Sequence, residues 1–337
     1  MGEFELLARI RERLPAAGPR IRLGSGDDAA ITVPEGATAT SVDALVDGVH
    51  FRRADATPAQ IGHKALATAL SDLAAMGAEA GEAYAVLGLP GDFSEDECVE
   101  LLEGMLALAG TTGTNLVGGD LTRSPTLFLA ITVVGHAADP GAFVHRTGAQ
   151  PGDALVITGE IGGAAAGLEL LGNPPLGTDF AFSGAIGGEK TKSAMRRLVE
   201  RQLEPQPRLG AGQALAHSGA TAMIDVSDGL GADARHVAAA SGVGLRIEAE
   251  AVPRASGLEE VAVTLGHDPW QFVLGAGEDY ELLAAIPPKQ LDAATDAVRS
   301  AEGVALTRIG EVVAGAGVEI RLPGGALAEP KGFDQLA

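Results

Sequence analysis

The stretch from Gly24 to Phe51, GSGDDAAITVPEGATATSVDALVDGVHF, constrains this chain more than any other. It carries Asp27, Asp28, Asp43, Asp47 and one histidine, His50, among glycines and short apolar runs. Asp27 and Asp28 follow Gly24-Ser25-Gly26, where the backbone bends freely, so both are expected on a tight turn. Thr38 to Val42 reads as a strand with Asp43 at its end. Carboxylates at turns and strand ends suit a hard cation, because magnesium takes oxygen ligands and bridges carboxylates to phosphate. Aspartate is also an ordinary turn former through local hydrogen bonds. This stretch alone leaves both readings open.

Beyond it the pattern alternates between helical and extended periods. Helices are expected over Phe4–Leu14, from Thr57-Pro58 to about Met76, and after Ser94, where Glu97 completes a capping box. Leu66, Ala69, Leu70, Leu73 and Met76 make the apolar stripe of the second helix. Asp72 falls about 40° from Met76, at the stripe's edge, where a half-buried carboxylate needs a partner. Strands are expected at Tyr84–Leu89, at Leu127–His136 in a central place, and at Ala154–Thr158, Ala220–Val226, Val243–Glu248, Tyr280–Ile286, Thr307–Val313 and Val318–Leu322. Helices are expected up to Leu171 and over Ser193–Gln202, Leu209–His217, Leu230–Ala240 and Leu291–Arg299, and Pro269–Leu274 leads into the acidic cluster GEDYELL.

Gly118-Gly119 before Asp120 reads as a turn able to hold a phosphate and a metal side by side. Gly159, Gly162 and Gly163, between a strand and a helix, have the form of an anion site. No P-loop lysine or serine stands there, so close strand–helix packing is the favoured reading. Asn173 to Lys190 is an irregular insert rich in Gly, Pro and Ser. Asp139-Pro140-Gly141 marks a boundary between domains 1–138 and 139–337.

The acids form a pattern. Asp27, Asp28, Asp43, Asp72, Asp120, Asp225, Asp228, Glu278 and Asp279 all stand beside glycines or at strand ends with apolar neighbours. A site holding several divalent ions for a strongly anionic ligand, such as a nucleoside triphosphate, would give them a common cause. The net charge of -21 disfavours nucleic acid and anionic membranes as partners and makes cations necessary for any anionic substrate. A single cysteine, Cys98, excludes an intramolecular disulfide and a cysteine metal cage. It lies in an acidic helix and is expected to be inert. With 4% aromatic residues the core must come from Ala, Val, Leu and Ile, and 47 glycines suit an α/β chain. No basic stretch leading into an apolar run opens the chain, and the longest apolar run, Leu127–Val134, is too short to span a bilayer. A soluble cytoplasmic protein is expected.

GDDAA (26–30), SVDALVDGVHF (41–51), ALSDLAAMGA (69–78), GGD (118–120), RTGAQPGD (146–153), MIDVSDGL (223–230) and GEDYELL (277–283) together resemble the thiamine-monophosphate kinases. These belong to the wider aminoimidazole ribonucleotide synthetase-like superfamily. The resemblance implies two domains: an N-terminal α/β domain with a mixed sheet that dimerises, and a C-terminal α+β domain. It implies ATP- and Mg2+-dependent phosphorylation of thiamine monophosphate to thiamine diphosphate by direct in-line transfer, in a homodimer. Carried over, metal ligands fall on Asp28 with its neighbour Asp27, on Ser41, Val42, Asp43, Asp72, Asp120, Asp225 and Asp228. ATP contacts fall on Gly119, Asp120, Arg146 and Ser227, and substrate contacts on His50, Glu278 and Phe333. Val42 replaces the usual threonine, so its ligand would be the backbone carbonyl. Phe333 replaces the usual Tyr or Trp, keeping the stacking face without the polar tip. Asp47 is left out of the set. The alternatives are another ATP-using member of the superfamily and a catalytically silent nucleotide-binding regulator.

Overall fold

The described residues, 3–16, 18–172 and 189–333 of a computed structural model, build two main sheets. Each sheet belongs to its own unit: Met1–Leu73 with Ala78–Ala142, and Ala74–Gly77 with Phe143–Ala337.

In the first unit the order is α1 (Glu3–Arg11), β1 (Ile21–Leu23), β2 (Ile31–Thr32), β3 (Ala37–Val46), α2 (Pro58–Ala75), β4 (Glu79–Leu89), α3 (Glu95–Thr112), β5 (Asn115–Arg123) and β6 (Phe128–Ala137). The sheet runs β3-β6-β4-β5, with β6 antiparallel to both neighbours and β4 parallel to β5. The apolar strand β6 is therefore internal, as its composition implies. Leu129, Ile131 and Val133 on it are fully buried. Leu73 of α2 lies 3.1 Å from where a Cβ on Gly135 would stand, so this is the helix-covered face. Leu66, Leu70, Leu101 and Met105 complete that core. The two helices meet backbone to backbone: a Cβ on Gly62 would fall 1.9 Å from the Leu101 carbonyl, and one on Gly104 1.9 Å from that of Ala59. The expected capping box opens α3, with Glu97 N donating to Ser94 Oγ and Ser94 N to Glu97 Oε2, a device worth about 1 kcal/mol.

The other face of this sheet is open along β3. Thr38, Thr40, Val42 and Ala44 are exposed, beside half-buried Ala130, Thr132 and Val134 on β6 and Tyr84 and Val86 on β4.

In the second unit follow β7 (Ala154–Thr158), α4 (Gly163–Gly172), α5 (Glu189–Leu203), α6 (Leu209–His217), β8 (Ala222–Asp225), α7 (Leu230–Ser241), β9 (Gly244–Glu248), α8 (Leu258–Leu265), α9 (Pro269–Leu274), β10 (Leu282–Ile286), α10 (Leu291–Glu302), β11 (Leu306–Val313), β12 (Gly317–Arg321) and β13 (Leu327–Ala328). Its sheet runs β13-β12-β9-β11-β7-β10-β8. β7 and β10 are buried at every residue, which is why LLAAI is continuously apolar and ALVIT is apolar up to Thr158, whose hydroxyl donates to Glu281.

Several expectations change, among them the start of β4, expected at Tyr84 and found at Glu79. β3 continues through Asp43 to Val46, because the alternation of exposed and half-buried residues persists past Val42. Gly118, Gly119 and Asp120 lie within edge strand β5, not on a turn. A Cβ on Gly119 would stand 2.0 Å from the Ala85 carbonyl, so this glycine lets β5 approach β4 across a shift in register. β10 begins at Leu282, not Tyr280, since Glu278 and Tyr280 hold φ of 67° and 51° and cannot extend the strand. Helix α8 was not expected, because three of the eight residues of LEEVAVTL are β-branched; Gly257 and Gly266, both left-handed, bracket it. The stretch 173–188 lies outside the described residues. Among the described residues no helix is long and apolar enough to cross a membrane.

Candidate functional site

In the first unit the β3–β6 register pairs Ser41 with Val133 and Asp43 with Ile131. Both therefore point to the helix-covered face, and Val42, 65% exposed, points to the open one. The Ser41 hydroxyl donates a short hydrogen bond to Asp72 Oδ2 on α2. The half-buried carboxylate at the edge of the α2 stripe thus has a partner, as its position requires. Any ligand role for Val42 falls to its carbonyl, and β3 is an edge strand, which leaves alternate carbonyls unclaimed by the sheet. Asp27 and Asp28 are exposed in the turn between β1 and β2, where Asp28 N donates to Asp27 Oδ1 at 2.9 Å. Asp47 accepts from Arg53 N at 3.1 Å, a local structural use. His50 Nδ1 accepts from Val46 N at 3.1 Å, which fixes the ring and leaves Nε2 as its other polar atom.

Gly119 and Asp120 are exposed on β5, the edge opposite β3. Across the sheet Asp43 pairs with Ile131, Ile131 with Ala85, and Ala85 with Gly119. Three strand spacings, about 14 Å, separate the two edges. Asp43 and Asp120 of one chain are therefore not brought together on a single ion.

In the second unit the DVSDG and GEDYE segments lie against each other. Glu278 N donates to Ser227 O at 2.8 Å and Tyr280 N to Val226 O at 2.9 Å. A Cβ on Gly277 would stand 2.0 Å from the Ser227 carbonyl, so only glycine allows this approach. Asp225 ends edge strand β8 and is 3% exposed; Ser227 and Asp228 follow it, half-buried. Phe333, 59% exposed, is tied to the same loop by its N–H, which donates to Asp228 O at 2.9 Å. The loop carrying Arg146 runs alongside: His145 O accepts from Met223 N at 2.9 Å, and Ser241 Oγ donates to Arg146 O at 3.2 Å. The Arg146 side chain is left exposed.

Consecutive acids in GEDYE have different uses. Glu278 Oε2 accepts from Gln202 Nε2 at 2.6 Å. Asp279 caps α4, accepting from Gly162 N at 2.7 Å and Ala164 N at 3.2 Å. The glycine turn before α4 thus receives the chain's own carboxylate. Asp279, counted among the acids with a common cause, belongs to this cap. Burial pushes its carboxyl up to about 7, against the two N–H donors, which lower it. Glu281 has no exposure and accepts from Thr158 Oγ and from the Arg208 guanidinium.

One residue escaped the sequence reading. Asp233, in the first turn of α7, is 2% exposed and accepts from Asp228 N at 3.1 Å. Burial, and then the charges of Asp225 and Asp228, push its carboxyl up to about 8. Ligand atoms of Asp228, Asp233 and His236 lie within 4.8 Å of one another. The signal was a carboxylate one helical turn after the Gly229 cap. Crowded carboxylates and hydroxyls, without thiolate, fit a hard divalent cation such as magnesium better than a soft one.

Family models for AIR synthase related protein match this chain twice, the N-terminal domain over residues 26–137 and the C-terminal domain over 150–323. The thiamine-monophosphate kinase of Mycobacterium tuberculosis (strain H37Rv) is 40% identical over 288 residues, 84% of this chain and 80% of its own. That of Salmonella typhimurium is 38% identical over 316 residues, 93% of this chain and 91% of its own. This chain belongs to the thiamine-monophosphate kinase family. A crystal structure of the Stenotrophomonas maltophilia K279a member matches with a TM-score of 0.80 at 35% identity, covering 96% of each chain. AaThiL complexed with AMPPCP and TMP matches with a TM-score of 0.74 at 28% identity, covering 98% of this chain and 96% of that one. The family's two-domain α/β fold accounts for both sheets found here.

Proposed function

We propose that this chain transfers the terminal phosphate of ATP directly onto the phosphate of thiamine monophosphate, giving thiamine diphosphate, in a magnesium-dependent in-line reaction. The observation that carries the reading is the likeness, over 98% of the chain, to a relative complexed with AMPPCP and TMP. A phosphate monoester is already anionic near neutral pH, so its oxygen needs no general base. The obstacle is repulsion between two phosphate groups, and the protein's work is positioning and charge neutralisation. A chain of net charge -21 makes that need acute.

The residues that would hold magnesium are Asp27, Asp28, Ser41, the Val42 carbonyl, Asp43, Asp72 and Asp120 in the first unit, and Asp225 and Asp228 in the second. When bound, the metal supplies charge neutralisation on the phosphates. Gly119, Asp120, Arg146 and Ser227 contact ATP, and the Arg146 fork suits two phosphate oxygens at once. His50, Glu278 and Phe333 contact thiamine monophosphate, with the exposed Phe333 ring stacking on the cationic thiazolium. The protein acts as a homodimer joined through the open face of the first sheet. Exposed Val42 beside Tyr84, Val86 and Thr132 supports that. So does the separation of Asp43 from Asp120, because a ligand set that includes both would draw Asp120 from a second copy.

The test is ADP release with thiamine monophosphate, with and without Mg2+. Asp43→Ala and Asp120→Ala are expected to lower turnover by about 10²-fold or more while the circular dichroism spectrum is kept. Magnesium-dependent turnover retained in either variant, or no ADP release by the wild-type chain, rejects the assignment.

A further inference from the structure

Gln202, in the last turn of α5, is 3% exposed and donates from Nε2 to Glu278 Oε2 at 2.6 Å. Its other polar atom, Oε1, is buried without a hydrogen-bond partner. Rotating the amide by 180° would not help, since it would set oxygen against carboxylate oxygen and strand the two N–H donors. An unmet buried acceptor costs about 1–3 kcal/mol, and an apolar side chain of similar length would avoid that cost. Glu278 adds a second local cost, its φ of 67° in the left-handed region, where a non-glycine residue loses roughly 1–2 kcal/mol. Such costs persist where surrounding structure holds a side chain in place for a purpose.

The chemistry of the donor indicates the purpose. Three residues on, Glu281 receives the Arg208 guanidinium through two bonds of 2.8 and 2.6 Å. That partner cancels the charge as it binds. The amide of Gln202 is neutral and orients a carboxylate without itself cancelling the charge. The bond at 2.6 Å fixes the aim of the Glu278 carboxylate, which is what a side chain contacting substrate requires.

We propose that Gln202 is a positioning residue that aims the Glu278 carboxylate at the cationic, amine-bearing ring system of the substrate, a role that rests on the thiamine monophosphate reading above. Gln202→Met keeps length and removes both the donor and the stranded acceptor. It is expected to raise KM for thiamine monophosphate about tenfold, with KM for ATP and Tm essentially unchanged. Glu278→Gln is expected to raise the same KM, and the double variant to be no worse than Glu278→Gln alone. Gln202→Glu, which sets two carboxylates together, provides a polar variant of the same shape should Gln202→Met fold poorly, and is expected to raise the same KM. A Tm loss with KM for thiamine monophosphate unchanged in the folded variants, or additive effects in the double variant, overturns the role of Gln202 and leaves the kinase reading intact. Absence of turnover in the wild-type chain overturns both.

Discussion

Arg208→Met is the change whose cost can be worked out most directly. Glu281 is fully buried and has three close donors: Thr158 Oγ at 2.7 Å, Arg208 Nε at 2.8 Å and Arg208 Nη2 at 2.6 Å. Arg201 Nη2 stands farther off, at 3.6 Å. The substitution removes two of the three close bonds and the nearest counter-charge together. Hydrogen bonds to charged groups contribute about 1.5–3 kcal/mol each, and breaking a buried pair by deleting one partner costs about 3–5 kcal/mol. With Thr158 and Arg201 still in place, the lower half of that range, about 3–4 kcal/mol, is expected. For a unit of this size that is a fall in Tm of roughly 6–16 °C, measurable by calorimetry or by circular dichroism. Adding Glu281→Leu to Arg208→Met removes the stranded charge and is expected to recover most of the loss. A fall below about 3 °C in the single variant, or a double variant no more stable than the single one, would show that the Arg208–Glu281 pair contributes little to the stability of this unit.

Two further outcomes follow from buried groups. Asp279 has its carboxyl at about 7 in the folded chain, against about 3.9 in an unfolded one. Between those values the folded state holds a proton that the unfolded state has lost, so this group favours folding at low pH and its contribution disappears as pH rises through 7. Asp279→Asn should flatten the dependence of Tm on pH between about 4 and 7; an unchanged slope refutes this. Cys98 is fully buried, and burial pushes its thiol up to about 11. Iodoacetamide at pH 8 should therefore label it only as fast as the protein opens, and rapid labelling of the native protein would contradict the burial.

Strong local signals carried far in this sequence. The β6 run, the Ser94–Glu97 box and the α2 stripe were legible because each depends on residues a few positions apart. Asp72 illustrates how far this goes: its helical angle predicted half-burial and a need for a partner, but not that the partner would be Ser41, 31 residues away. Gly118-Gly119 shows the limit. A double glycine reads as a turn, yet here it permits close contact between two strands, and that depends on Ala85 of the neighbouring strand. Asp279 and Glu278 are adjacent acids with the same local signature, and only tertiary partners separate a helix cap from a carboxylate oriented by Gln202. Gln202 gave no signal at all, because a glutamine in a basic helix looks like surface.

The two faces of β3 have a further consequence. Odd positions, Ser41 and Asp43, look toward the helices, and even positions, Thr38, Thr40, Val42 and Ala44, look away. The strand therefore carries two independent messages interleaved by parity. Even positions can be recoded, for solubility or for assembly, without altering the identity of any odd one. An insertion or deletion of a single residue exchanges the two messages at once. Substitution at an even position should therefore leave Ser41 and Asp43 facing the helices, whereas a change in length should not.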